Sequence, residues 1–353
     1  MKVVLVGKEF DFGAGDGISR YSAELYRNLK ALNKDTETTS VGNTPRPVRA
    51  LGSVGAGDAE IVHLMYPDAA RVRKGNARMV TTWHDNRLFE KYSSGNRSKE
   101  KPKIAEMFGF AGSMVRSIGT SNYAESDAIL YVSSRTAKEV NAYLKAEGLF
   151  DAGKKCYVVN NGVDDAFIGY RIARTARRDF AYVGSVGYLH KNIAGLLRLF
   201  NMIAGDRRGR ASRLHIFTYT EGAEGIIRRH MEGNGSLRLG ENVILHLREP
   251  DSEVLKVLPR SVALLHMSML EGFGMPILEA LAVGTPVLTM KGADIPSDVL
   301  RHAYSGDYQE LFGKAIELLE RQSGASREAV RYAKGFSWKA NAEKTMKIYD
   351  DLL

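Results

Sequence analysis

Residues 268–290, SMLEGFGMPILEALAVGTPVLTM, constrain this chain more than any other stretch. Glu271-Gly272-Phe273-Gly274 reads as a loop whose glycines let the backbone approach a ligand closely. Pro276 stands where a helix begins, a position that tolerates its missing N–H. Ile277, Leu278, Ala280, Leu281 and Ala282 make that helix apolar nearly all round, so it reads as buried. Gly284 ends it, and Pro286-Val287-Leu288 begins a strand. A glycine loop feeding a buried helix N-terminus is an anion site, because free N–H groups and the helix dipole both favour negative charge there.

Two carboxylates frame the loop. Glu271 lies before the helix and Glu279 in its first turn. Glu279 reads either as a surface acid that suits the positive helix end or as a ligand group. Glu271 reads either as a solvated loop residue or as an acceptor for sugar or ribose hydroxyls.

The run EGFGMPILEALAVGTPV resembles the signature of the retaining nucleotide-sugar glycosyltransferases of family 4, with glycines, proline and both acids in register. The resemblance implies that Glu271 approaches the donor sugar and diphosphate, and that Glu279 binds the nucleotide ribose. It also implies that Gly272, Phe273, Gly274 and Met275 form part of the donor site.

At 353 residues, two domains are expected. A chain 44% hydrophobic and 26% charged has enough apolar residues for cores and is not a disordered sequence. Its single cysteine, Cys156, cannot form an internal disulfide, which suits a reducing, cytoplasmic compartment. The first apolar run, Val3 to Val6, is too short for a signal peptide, and no stretch approaches the ~20 apolar residues of a membrane helix.

The net charge of +9 is uneven. Residues 71–116 hold eleven Lys and Arg against four acids, a surplus of seven. Such a segment suits nucleic acid, anionic lipid or a phosphorylated acceptor, or is simply a solvated face. No zinc spacing, RNA-recognition aromatic motif or helix-turn-helix signal accompanies it, so nucleic acid is not the expected partner. Residues 99–116 are basic at the start and apolar after it, and could form an interfacial helix, although Gly109 and Gly112 weaken it. The resemblance implies an acceptor that is a glycan or is lipid-linked, with peripheral contact at the inner face of the membrane through 71–116.

The first half begins with a strand over 2–7, a loop over 11–17 and a helix over 19–33. Gly13, Gly15 and Gly17 have neither dinucleotide-fingerprint nor P-loop spacing. The resemblance makes Gly15 and Gly17 close-approach positions for donor and acceptor; otherwise the loop is a plain turn. Strands over 60–65 and 78–83 follow, with His84-Asp85 after the second, where open α/β sheets place ligands. The family's histidine near the donor sugar corresponds to His84, while His63 reads as a packing residue. A strand over 127–133, a helix over 134–144 and a strand ending at Asn161-Gly162 close the first domain at 170, and 168–179 reads as a linker.

The second half repeats the pattern. A strand over 180–184 leads into GSVGYLHKN and then a helix over 193–203. Strand, glycine loop and helix in both halves predict an α/β protein of two Rossmann-like domains with a cleft between them, which the resemblance identifies as GT-B. The domains are then 1–170 on the acceptor side, 171–334 on the donor side, and a C-terminal helix over 335–353 that returns to the first domain. In GT-B members the loop lysine neutralises the donor phosphates, which points to Lys191; the alternative is an ordinary salt-bridged or solvated lysine. Gly184 lies at the donor. Ser185 follows it where many members carry arginine, a departure that His190 or another cation would have to offset. No metal-binding cluster is recognisable, so neither metal nor cofactor is expected, and Lys191, backbone amides and the helix end replace the cation.

These readings predict a hexosyltransferase using a donor of the GDP-mannose or UDP-glucose type, with His84, Lys191 and Glu271 at the reacting centre. The alternative is a non-catalytic GT-B partner subunit, motivated by Ser185.

Overall fold

The computed structural model describes residues 1–8, 10, 17–41, 53–85, 109–171, 176–233 and 235–353, with side chains from 117 onward in the helix that begins at Gly109. They divide into two compact units, Met1–Gly162 with Trp338–Leu353, and Val163–Ser337.

The first unit is built on β1 (Val3–Gly7), β2 (Thr36–Ser40), β4 (Ile61–Leu64), β6 (Arg78–Trp83), β7 (Ala128–Tyr131) and β8 (Lys155–Val158), in the order β2-β1-β4-β6-β7-β8. All the pairings are parallel. Strands such as VVLVG and AILY are apolar at successive positions because both faces of the sheet are covered. Two short strands, β3 (Ser53–Gly55) and β5 (Arg71–Arg73), pair separately. The C-terminal helix Trp338–Asp350 packs on the helix Gly17–Leu32, with Trp338 edge-on to Tyr21 at 5.7 Å. His63 is fully buried, bonded to Tyr349 and, at 2.7 Å, to Thr82. Burial, then the nearby charge of His84, pushes its pKa down to about 3, so it packs as a neutral imidazole.

The second unit holds β9 (Phe180–Val183), β10 (Leu214–Thr218), β11 (Val243–Leu247), β12 (Ala263–His266), β13 (Val287–Met290) and β14 (Tyr304–Gly306), in the order β11-β10-β9-β12-β13-β14. These too pair in parallel. The chain steps outward on one side of β9 and then returns to its other side. That reversal is a topological switch point between β9 and β12, where loops diverge and leave a crevice. Both sheets are Rossmann-like. Phe180, Leu196, Leu197 and Phe200 lie in the core of the second unit.

The first boundary falls eight residues before the expected one. The Val163 N–H donates to the Phe336 carbonyl at 2.9 Å, and a turn of helix at Asp165–Ile168, carrying fully buried Phe167, packs on Met275–Ala282. The linker reading of 168–179 also fails at Arg177, which is only 6% exposed. Its guanidinium donates to the carbonyls of Ser261 at 2.6 Å and Gly284 at 3.0 Å. Arg177→Met strands both acceptors. It is expected to cost about 2–4 kcal/mol of stability in the second unit, read as a lower urea midpoint.

Candidate functional site

The loops leaving β9 and β12 build the site. After β9, Gly184 has φ 150°, and a Cβ there would meet the Tyr182 hydroxyl at 3.1 Å. Ser185 does not face outward as a substitute for arginine. Its hydroxyl pairs with Thr220 Oγ1 at 2.9 Å and accepts from the Gly187 N–H at 3.2 Å. Its carbonyl accepts from the Tyr182 hydroxyl at 2.7 Å. Ser185 therefore ties the loop to the strand ends.

Lys191 closes a short helical turn, Leu189–Lys191, and the next residue, Asn192, is left-handed at φ 52°. Asparagine tolerates that conformation. Its side chain also caps the helix Ile193–Gly205, accepting from the Gly195 N–H at 3.1 Å. The backbone on both sides of Lys191 is thus fixed. The loop after β12 is lashed to this turn, since the Met269 N–H donates to the His190 carbonyl at 2.7 Å.

Across that lashing, Lys191 Nζ lies 2.7 Å from Glu271 Oε1. Two residues 80 positions apart form an ion pair with side chains only 18% and 12% exposed. His266, at the end of β12 and 2% exposed, brings Nε2 to 3.1 Å from the same Oε1, obliquely. Burial alone would raise the Glu271 carboxyl, but the Lys191 charge and then His266 outweigh it and hold the group well below the usual carboxylate range. Glu271 is therefore an anion at any working pH.

Gly274 follows at φ 105°, where a Cβ would meet Val299 Cγ1 at 3.3 Å. It is the N-cap of Met275–Ala282, and no side chain caps that end. Gly272 and Met275 are half-buried beside it. Phe273 instead packs inward, 4% exposed, with its ring 6.1 Å from that of Phe336. Glu279 is 2% exposed, which overturns its reading as a surface acid. A carboxylate placed inside an otherwise apolar helix is costly unless it is paired or hydrogen-bonded.

In the first unit, His84 stands at the end of β6, its Nε2 2.8 Å from the Met65 carbonyl. A carbonyl only accepts, so Nε2 carries the proton and, in the neutral ring, Nδ1 carries the lone pair. The ring sits edge-on to Tyr21 at 4.6 Å. Gly17 is the exposed first residue of its helix, whereas Gly15 lies outside the described residues. Residues 86–108, half of 71–116, lie outside them as well. Of its described part, Lys74 and Arg78 pair with Asp127 at 3.1 and 3.3 Å, which spends some of the positive charge locally.

Sequence reasoning named Lys191 and Glu271 separately but missed His266 as their neighbour. The signal was an imidazole ending an apolar strand five residues before the glutamate. It also missed Asn192, whose left-handed backbone sets the lysine.

Comparison with known proteins fits this geometry. Residues 173–335, nearly the span of the second unit, match the family described as Glycosyl transferases group 1. This segment resembles a glycosyltransferase group 1 domain. Lys191, His266, Glu271 and Glu279 all lie within the matched residues. The chain is similar to O-antigen chain mannosyltransferase B of Escherichia coli, 23% identical over 77% of this chain and 70% of that one. It is also similar to MMP alpha-(1->4)-mannosyltransferase of Mycolicibacterium hassiacum, 24% identical over 83% and 71%. Among solved structures, sucrose-phosphate synthase from Thermosynechococcus elongatus superposes with a TM-score of 0.69 at 13% identity, covering 100% of this chain and 99% of that one. WaaG, a glycosyltransferase of lipopolysaccharide biosynthesis, gives 0.66 at 13% identity with the same coverage. These likenesses establish the fold as GT-B. Among the described residues, no helix is long and apolar enough to cross a membrane, and no group of three His, Cys, Asp or Glu could hold a metal ion.

Proposed function

We propose that this chain is a retaining hexosyltransferase that uses a nucleoside-diphosphate sugar, without a metal ion, to extend a glycan or lipid-linked acceptor. The observation that carries the reading is the Lys191–Glu271 pair, 2.7 Å apart at the switch point of the group 1 domain and beside the Gly274-capped helix end. A diphosphate leaving group gains negative charge as its bond to C1 breaks. A fixed ammonium and oriented backbone N–H groups favour that charge where it develops. Glu271 accepts hydrogen bonds from the donor-sugar hydroxyls, and Glu279 accepts those of the ribose hydroxyls. In front-face attack, the acceptor oxygen bonds to C1 as the phosphate oxygen leaves. The acceptor proton passes to that departing oxygen. The resemblance to family 4 assigns His84, with its proton on Nε2, to the donor sugar. The two mannosyltransferase relatives favour a mannosyl donor of the GDP-mannose type.

Thermal shift and donor hydrolysis against a panel of GDP- and UDP-sugars, with and without EDTA, test this. One nucleotide class should stabilise the chain and release sugar slowly, at a rate EDTA leaves unchanged. No shift and no turnover with any of them would instead favour a non-catalytic subunit, and Ser185→Arg would then be the variant to assay.

A further inference from the structure

We infer that His266 is a positioning residue for Glu271: a strand-anchored imidazole that keeps the carboxylate oriented while Lys191 turns to the donor diphosphate. The inference rests on the transferase reading above and adds a residue to it.

The placement is unusual for its surroundings. Ala263, Leu264 and Leu265 precede His266 on β12 and are fully buried, as is its register partner Thr289 on β13. An aliphatic side chain would suit this position. An imidazole whose Nδ1 and Nε2 are both buried without an aligned hydrogen-bond partner costs free energy there. Nε2 nevertheless stands 3.1 Å from Glu271 Oε1, within reach of a hydrogen bond once that oxygen is released by Lys191. A carboxylate only accepts, so its charge favours the tautomer with the proton on Nε2.

Oε1 has two claimants. Lys191 holds it now at 2.7 Å, while His266 approaches obliquely, not in line. The ammonium sits on a flexible four-carbon stem and suits a diphosphate as well as a carboxylate. When it turns to phosphate, Oε1 loses its closest cation, and a donor that does not move keeps the carboxylate in place. His266 fills that role because a central strand fixes it, as a supporting group should be fixed. Among the described residues, the ionisable groups that face Glu271 include Lys191, His266 and the Tyr182 phenol, whose own ionisation burial and then the Glu271 charge push up.

The test compares His266→Leu with His266→Gln in the full chain. Leu fits an apolar strand, and Gln restores an N–H at similar reach. Two quantities are read: kcat and KM for donor turnover, and the titration of the Glu271 carboxyl by carbon NMR in the free protein. For His266→Leu, kcat should fall about tenfold, the loss of one hydrogen bond made as Lys191 turns to the donor, with donor KM changed by less than about threefold. Its Glu271 titration should move upward. His266→Gln should recover most of kcat. Wild-type kcat in the Leu variant overturns the inference. So does a Gln variant as slow as Leu, because the role would then be packing. If the wild-type chain turns over no sugar nucleotide, the transferase reading fails, and the carboxyl titration alone decides: an unmoved titration in the Leu variant overturns the role of His266.

Discussion

The Glu271→Gln chain is expected to fold, to bind donor and to turn it over about 10²–10³-fold more slowly, the usual effect of removing one preorganised polar group from a reacting centre. The substitution keeps the size of the side chain and an oxygen for Lys191, so the ion pair becomes a neutral acceptor bond 2.7 Å long or slightly more. Stability should fall by about 1–3 kcal/mol, since a charged hydrogen bond is replaced by a weaker one. The two kinetic constants should separate. Glu271 competes with the diphosphate for Lys191, so removing its charge frees the lysine for the donor. KM should therefore hold steady or fall while kcat drops, the signature of an interaction that matters more in the transition state than in the ground state. Wild-type turnover in this variant would falsify the assignment. A raised KM with kcat unchanged would make Glu271 a simple donor ligand.

Much of the fold was readable because parallel strands covered on both faces are apolar throughout. FAYV and VLTM stand close to where their residues place them. The strands that escaped notice were at the edges. β2 is TETTS, with only Thr36 buried, and β14 is YSG, with only Gly306 buried. An edge strand in this sheet takes its place from backbone pairing and needs few apolar side chains, so its sequence resembles a loop.

The site was legible in parts and not as a whole. The glycines and acids of 268–290 announce a ligand loop because few sequences combine a permissive backbone with a buried helix start. Distance across the chain carries no such signal. Lys191 and Glu271 meet because strand order puts β9 beside β12, and that adjacency is a property of topology. Glu279 misled because charge is the usual mark of a surface position, yet the helix that carries it is buried on all sides. Arg177 misled in the same way, its guanidinium being turned onto two carbonyls inside the unit. His266 was invisible because a lone histidine at a strand end reads as packing, which is the correct reading for His63.

Lys191→Met should cost as much in rate as the glutamate variant and more in stability. The aliphatic stem stays and only the ammonium goes, so kcat should fall about 10²–10³-fold through loss of the cation at the leaving phosphate. Breaking a largely buried pair from one side leaves the other charge desolvated, and about 2–4 kcal/mol of stability should go with it. The pH dependence identifies the cause. In the wild-type chain the folded-state pKa of Glu271 lies below its unfolded value of about 4.3. Its contribution is therefore fully present above that value and is lost as pH falls through the folded one. Without Lys191, the strongest influence holding the carboxyl down is gone while His266 remains, so the folded-state pKa moves up toward the unfolded one. Most of the Glu271 contribution is then missing at neutral pH, whereas at about pH 3 the wild-type chain is losing it as well. The gap in melting temperature between Lys191→Met and wild type should accordingly be wide at about pH 7 and narrower at about pH 3. A gap of equal size at both would show that the lysine contributes through packing of its stem, and that its charge in the free protein is balanced by something other than Glu271.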